Sequence, residues 1–272
     1  MLPALRGLMK PPQGVVGKCR VIPEIMAGVD CIFLEPPGAG PDEYLVFLHG
    51  GAFTDGPIDS HWAMLARVCE KTNLVAVMVG YGLAPENPYP RPLQDVLGVC
   101  RHLRRKSPPP RIYLMGDSAG GGLALSTVLA LKDCRELLPE KLTLLSPWLD
   151  LALRNPEIET IREYDQLLRK DGLIEAGRQY SAGHDRGHYL LSPVNGDFEG
   201  LPPTLVLIGT YDILVSDCRR FREKARAAGV ALTYQEWDEM FHDWMTLIPQ
   251  PEAKRAIDQA VDFLKADSTG SS

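Results

Sequence analysis

Gly116-Asp117-Ser118-Ala119-Gly120 decides how this chain is read. Its spacing is G-x-S-x-G, and the surroundings give that spacing meaning. Before it, Arg111-Ile112-Tyr113-Leu114-Met115 reads as a short buried strand. After it, residues 119–131 read as a helix rich in small and apolar residues. A strand, a sharp turn and a helix hold a serine hydroxyl clear of a sheet, the arrangement called a nucleophile elbow. Glycines on both sides let the backbone turn tightly and the helix pack close. A serine alone is a poor nucleophile, so the reading also needs a base and an oxyanion site.

Outward from the elbow, strand-like and helix-like runs alternate from about residue 44. Strands are expected over 44–49, 74–79, 112–115, 142–145, 204–208 and 232–237. Helices are expected over 60–71, with Asp59 or Ser60 as cap, and over 92–106, with proline in the first turn. Two more are expected over 217–228, stopped by Gly229, and over 251–265. The alternation predicts an α/β fold, a mostly parallel sheet with helices on both faces. Residues 1–26 have no clear period, and 151–200 hold helix-like pieces but no convincing strand. An insertion of that size between core strands is usually functional. The expected organisation is a discontinuous core over 27–150 and 201–266, a cap region from 1–26 and 151–200, and a flexible tail over 267–272.

Three further pieces complete a candidate site. His49-Gly50-Gly51-Ala52 follows an apolar run, where a glycine loop can aim N–H groups at a substrate oxygen. With the residue after the serine, the candidate oxyanion donors are Gly50, Gly51 and Ala119; the plainer reading is a Gly-Gly turn. His49 is expected to order the loop. The acid is Asp212, just past the 204–208 strand, at the rim where such sheets bind ligands. Its rival, Asp217, precedes an apolar-periodic run and reads as a helix cap. The base is His242, in a loop beyond the last strand. His61 and His102 fall on helices, and His184 and His188 in the expected cap. The order Ser, Asp, His then supports acyl transfer: Ser118 attacks, His242 moves the proton and Asp212 orients the ring. No cofactor is needed, and no His/Cys/carboxylate cluster has metal spacing.

Bulk properties remove other classes. The 272 residues are 45% apolar and 24% charged, as in ordinary globular proteins. The net charge of −6 and mixed signs argue against a nucleic-acid binder. The one basic cluster, Arg101–Lys106, suits a helix C-terminus. No window approaches a membrane span, and residues 1–10 are too interrupted for a signal segment. Six scattered cysteines without a C-x-x-C pair suggest reduced thiols and a cytoplasmic location.

In combination these motifs resemble the hormone-sensitive-lipase-like family of α/β-hydrolases over residues 44–246. His49-Gly50-Gly51 is similar to its HGG loop, Tyr81-Gly82-Leu83-Ala84-Pro85-Glu86 to its Y-R-L-A-P-E segment, and Gly116–Gly121 to its elbow. Ser192-Pro193 and Gly200–Thr204 resemble the return from its cap. The resemblance implies an α/β-hydrolase fold with a small helical cap and carboxylesterase activity on short to medium acyl esters, with Ser118, Asp212 and His242 as triad. It also implies structural roles for Glu86 and Asp95. Phe53, Trp148 and Leu149 line an acyl or alcohol pocket, or are simply core. Ala52 stands where the family has a third glycine, which suits a negative φ, and Gly82 replaces an arginine, removing a local salt bridge. A small-molecule ester is the expected partner, with no nucleic acid or membrane, and the chain a monomer or homodimer. The alternatives are a lactonase, small-molecule deacetylase or formamidase with the same triad, or a non-catalytic ligand-binding protein on the same fold.

Overall fold

The computed structural model describes residues 10–12, 14–40, 42–246 and 250–266. The expected tail at 267–272 and the first nine residues of the expected cap lie outside them. Eight strands form one sheet: β1 (Arg20–Met26), β2 (Val29–Glu35), β3 (Glu43–Leu48), β4 (Val75–Val79), β5 (Arg111–Asp117), β6 (Lys141–Leu145), β7 (Thr204–Gly209) and β8 (Leu232–Trp237). Their spatial order is β1-β2-β4-β3-β5-β6-β7-β8. The pairs β1–β2 and β2–β4 are antiparallel, and the rest parallel.

Both faces of the central strands are apolar because both are covered. Alternate residues of β3 face opposite ways. Tyr44, Val46 and Leu48 join one core, and Leu45 and Phe47 the other. Helices α1 (Asp59–Thr72) and α7 (Pro251–Lys265) cover the Leu45 side. The other side takes α2 (Arg91–Arg104), α3 (Ser118–Asp133) and α6 (Val215–Ala227). Each leucine or valine fully buried in these cores is worth about 1.5–3 kcal/mol. Residues 151–200 carry α4 (Ile158–Ile161), α5 (Lys170–Ser181) and a short 3-10 turn, Pro193–Asn195.

Helix α3 is buried along nearly its whole length. It lies so close to the sheet that a Cβ on Gly120 would collide with the Leu48 carbonyl. Helix α6 stops as expected. Gly229 takes φ +71, its N–H donates to Arg226 O, and the Val230 N–H donates to Ala225 O. Lys141 on β6 closes the end of α7 by donating to Phe263 O at 2.6 Å.

Two expectations are corrected. Residues 20–26 are an edge strand of the sheet, not part of a cap. Pro23 obscures this in the sequence; lacking an N–H, it is tolerated where one side of the strand has no neighbour, and it sits opposite Ile32. Asp217 is not the cap of α6, which is Leu214; it lies inside the first turn with its side chain buried.

Candidate active site

Ser118 opens α3 directly after β5, with φ +50. That left-handed conformation is unfavourable for a residue with a Cβ, and it turns the side chain off the end of the sheet. Asp212 follows β7, and His242 lies in the loop after β8. The three are brought together. Ser118 Oγ is 2.9 Å from His242 Nε2, and His242 Nδ1 is 2.8 Å from Asp212 Oδ2. The second oxygen of Asp212 accepts the Leu214 N–H at 2.9 Å, which fixes the carboxylate. Asp212 is fully buried and His242 nearly so. Nδ1–H therefore donates to Asp212, and Nε2 is the nitrogen that faces the serine hydroxyl. Burial favours a neutral ring, but Asp243 and Asp212 push His242 well above the usual histidine range.

The glycine loop corrects the sequence reading at two points. Gly50 is not a free oxyanion donor, because its N–H donates to Asp117 Oδ1 at 2.9 Å. No described residue accepts the N–H of Gly51, Ala52 or Ala119. Ala52 takes φ +52, not a negative value, and Phe53 follows at +65. The loop is held from behind. His49 Nδ1–H donates to Gly50 O at 2.6 Å, the Tyr81 hydroxyl donates to His49 O at 2.5 Å, and the two rings stack at 4.4 Å. Burial drives His49 down to about 4, so it is neutral and structural.

Asp117, an unspecified position of the motif, has a partner that sequence reasoning missed. His61 of α1, 56 residues away, lies 2.9 Å from Asp117 Oδ2 through Nε2. Its Nδ1 accepts the Ile58 N–H at 3.0 Å, so Nε2–H is the donor to Asp117. Burial would raise the Asp117 carboxyl, but His61 and the Gly50 N–H hold it below the usual carboxylate range. Asp243 was also missed; its Oδ2 is 3.0 Å from His242 Nε2.

Phe53, Trp148 and Leu149 are all buried. The Phe53 ring stacks on Tyr180 of α5 at 3.7 Å and 2°, with Trp148 at 6.0 Å. The Trp148 backbone N–H donates to Ser118 O at 2.8 Å, tying this segment to the elbow, while its indole N–H donates to Asp150 O at 2.9 Å. A cavity of about 470 Å³ opens behind the glycine loop, lined by Asp30, His49, Tyr81, Glu86 and Arg91 among others. Ser118 is not among the residues that line it. The salt bridge expected to be missing at Gly82 is replaced. Arg91 Nε reaches Asp95 Oδ1 at 2.7 Å, and the Gly82 N–H donates to Asp95 Oδ2 at 2.9 Å.

Among the described residues no group of acidic, histidine or cysteine side chains could hold a metal ion, and no helix is long and apolar enough to cross a membrane. Residues 45–246 match the family described as the alpha/beta hydrolase fold. The chain is 37% identical to an acetyl-hydrolase of Streptomyces hygroscopicus, over 81% of this chain and 75% of that one. It is 36% identical to an esterase of Acinetobacter venetianus, over 83% and 75%. The solved structure of an esterase from the bacterial hormone-sensitive lipase family superposes with a TM-score of 0.88 at 32% identity, covering 95% of this chain and 86% of that one. With this sheet, this elbow and these relatives, the chain belongs to the hormone-sensitive-lipase-like family of α/β-hydrolases and is a carboxylic ester hydrolase.

Proposed function

We propose that Ser118, His242 and Asp212 hydrolyse small esters of short to medium acyl chains through an acyl-enzyme. The observation that carries this reading is the unbroken hydrogen-bond chain from Ser118 Oγ through His242 to Asp212, at 2.9 and 2.8 Å. Ser118 Oγ attacks the acyl carbon while Nε2 takes its proton. The imidazolium then protonates the leaving alcohol, and water repeats the cycle on the acyl-enzyme. The oxyanion is held by the N–H groups of Gly51, Ala52 and Ala119, each donor worth roughly 3–4 kcal/mol in the transition state.

Residues 151–200 act as a cap over this site. Two contacts support that role: Tyr180 stacks on Phe53 beside the glycine loop, and Asp165 Oδ2 accepts the Ile213 N–H beside Asp212. Phe53, Trp148 and Leu149 close one end of the acyl pocket, which favours small acyl groups, as does the likeness to an acetyl-hydrolase. The six cysteines are free and five are buried, which suits a cytoplasmic enzyme working as a monomer or homodimer. Ser118→Ala should lower p-nitrophenyl acetate turnover by about 10⁴-fold or more while the circular dichroism spectrum is unchanged. Turnover retained in a folded Ser118→Ala protein overturns the assignment.

A further inference from the structure

We infer that Asp243, the residue after the base, is a second carboxylate acting on His242: it holds a proton on Nε2 in competition with Ser118 and so governs when the ring can act. The inference rests on the triad reading above. Asp243 Oδ2 is 3.0 Å from Nε2, and Ser118 Oγ is 2.9 Å from the same nitrogen. Asp212 occupies the other nitrogen.

The position of Asp243 is imposed by its backbone. It takes φ +52, its N–H donates to Ser146 Oγ at 3.2 Å, and its carbonyl accepts both the N–H and the hydroxyl of Thr246, each at 2.9 Å. Its Oδ1 is buried and meets no partner among the described residues, so its described side-chain contact is with the ring.

Proton accounting gives the consequence. A neutral ring with Nδ1–H on Asp212 has one lone pair on Nε2, and an ionised Asp243 cannot donate to it. At 3.0 Å the ionised carboxylate instead requires N–H on that nitrogen. The Oδ2 charge in ion-pair contact with Nε2 holds a proton on that nitrogen, and while it stays there Nε2 cannot take the Ser118 proton. Its loss to solvent frees the base. When Oγ then bonds to the acyl carbon, the C=O electron pair moves to oxygen and the Oγ proton to Nε2, and Asp243 stabilises the new imidazolium from that side. Three other groups face this pair: Asp212 after β7, Asp117 at the elbow and His61 of α1. Burial pushes the Asp243 carboxyl up to about 6, against the pull of His242 and with the Asp117 charge adding to the rise, while the proton on Nε2 is held to higher pH by Asp243 and Asp212.

The test is the pH profile of kcat/KM for p-nitrophenyl acetate in Asp243→Asn and Asp243→Gly. Both replacements tolerate positive φ and both remove the charge. Without that charge the imidazolium is less favoured, so the acid limb should move to lower pH by about one unit or more in each. The low-field His242 Nδ1–H proton resonance should titrate at a correspondingly lower pH. Because the limb is read as a ratio of activities, a lower overall rate in either variant leaves the result intact. An acid limb unmoved or moved upward in variants that keep the parental circular dichroism overturns the inference. If Ser118→Ala is inactive while those limbs stay fixed, only the role of Asp243 fails; turnover in Ser118→Ala would instead overturn the triad reading.

Discussion

In Asp117→Asn, an oxygen becomes an NH2 at a position where both oxygens already accept hydrogen bonds. Oδ1 takes the Gly50 N–H and Oδ2 takes the His61 Nε2–H, each at 2.9 Å, and the side chain is fully buried. Asn retains one acceptor. If that oxygen stays on Gly50, the NH2 faces the His61 Nε2–H. The ring cannot yield by changing tautomer, because Nδ1 already accepts the Ile58 N–H. If the amide flips, the NH2 faces the Gly50 N–H and the glycine loop loses its anchor. Either way one buried donor is unmet, and a hydrogen bond to a charged group is lost. That should cost about 1.5–3 kcal/mol of stability. The loop carries the N–H groups of Gly51 and Ala52, so its displacement should also lower kcat. Complete loss of one oxyanion donor sets the scale, and a fall of about 10- to 1,000-fold is expected, with KM changing much less. Urea denaturation followed by tryptophan fluorescence reads the first effect, and steady-state hydrolysis of p-nitrophenyl acetate the second. A cycle with His61→Phe should give a coupling of about 0.5–3 kcal/mol, since each side chain matters mainly while the other is present. Asp117→Asn with the parental urea midpoint and kcat would refute the reasoning.

Two further outcomes are expected. Ala52→Gly relieves a left-handed alanine, worth about 1–2 kcal/mol, against the greater freedom of glycine in the unfolded chain, about 0.4–1 kcal/mol. The urea midpoint should therefore rise slightly, and a marked fall would contradict the strain. Burial and the nearby Asp150 push Asp217 up to about 7, so it is protonated in the fold where the unfolded chain would already be ionised. Its stabilising effect is complete below the unfolded value near 4 and is lost as pH rises through 7. Asp217→Asn should thus gain stability over the parent at pH 8 relative to pH 4, by up to roughly 4 kcal/mol, and equal differences at the two pH values would count against it.

The parts of this molecule that are legible in its sequence share one property: their meaning is local. Ser118, Asp212 and His242 each stand just past the end of an expected strand, and a parallel sheet delivers such ends to one rim. Gly229 stops α6 through bonds made within the helix's own last turn. The helices and central strands follow from period and apolarity for the same reason. What stays hidden is set by partners far along the chain. Nothing near His61 marks it as the support for a loop that begins at His49, since the link runs through Asp117 and becomes visible only once α1 packs against the sheet. Nothing near Gly50 shows that its N–H is already taken. Strand β1 is obscured by Pro23, which is acceptable only because folding leaves that strand at an edge.

The same division runs through the site itself. The named positions of G-x-S-x-G and the three residues of the relay state a reaction class. The positions next to them carry carboxylates that the reaction class does not require. Asp117 is buried and answered by Gly50 and His61, so its charge is spent on holding the loop. Asp243 is answered by the base itself. A carboxylate that meets a backbone N–H and a fixed tautomer is a scaffold, whereas one that meets a titrating ring alters when that ring can work. These two neighbours of the relay, one before the serine and one after the histidine, therefore separate oxyanion-loop geometry from base strength. Substituting each in turn should lower kcat across the pH range in the first case, with a smaller shift of the profile through the lost Asp117 charge, and should move chiefly the pH profile in the second.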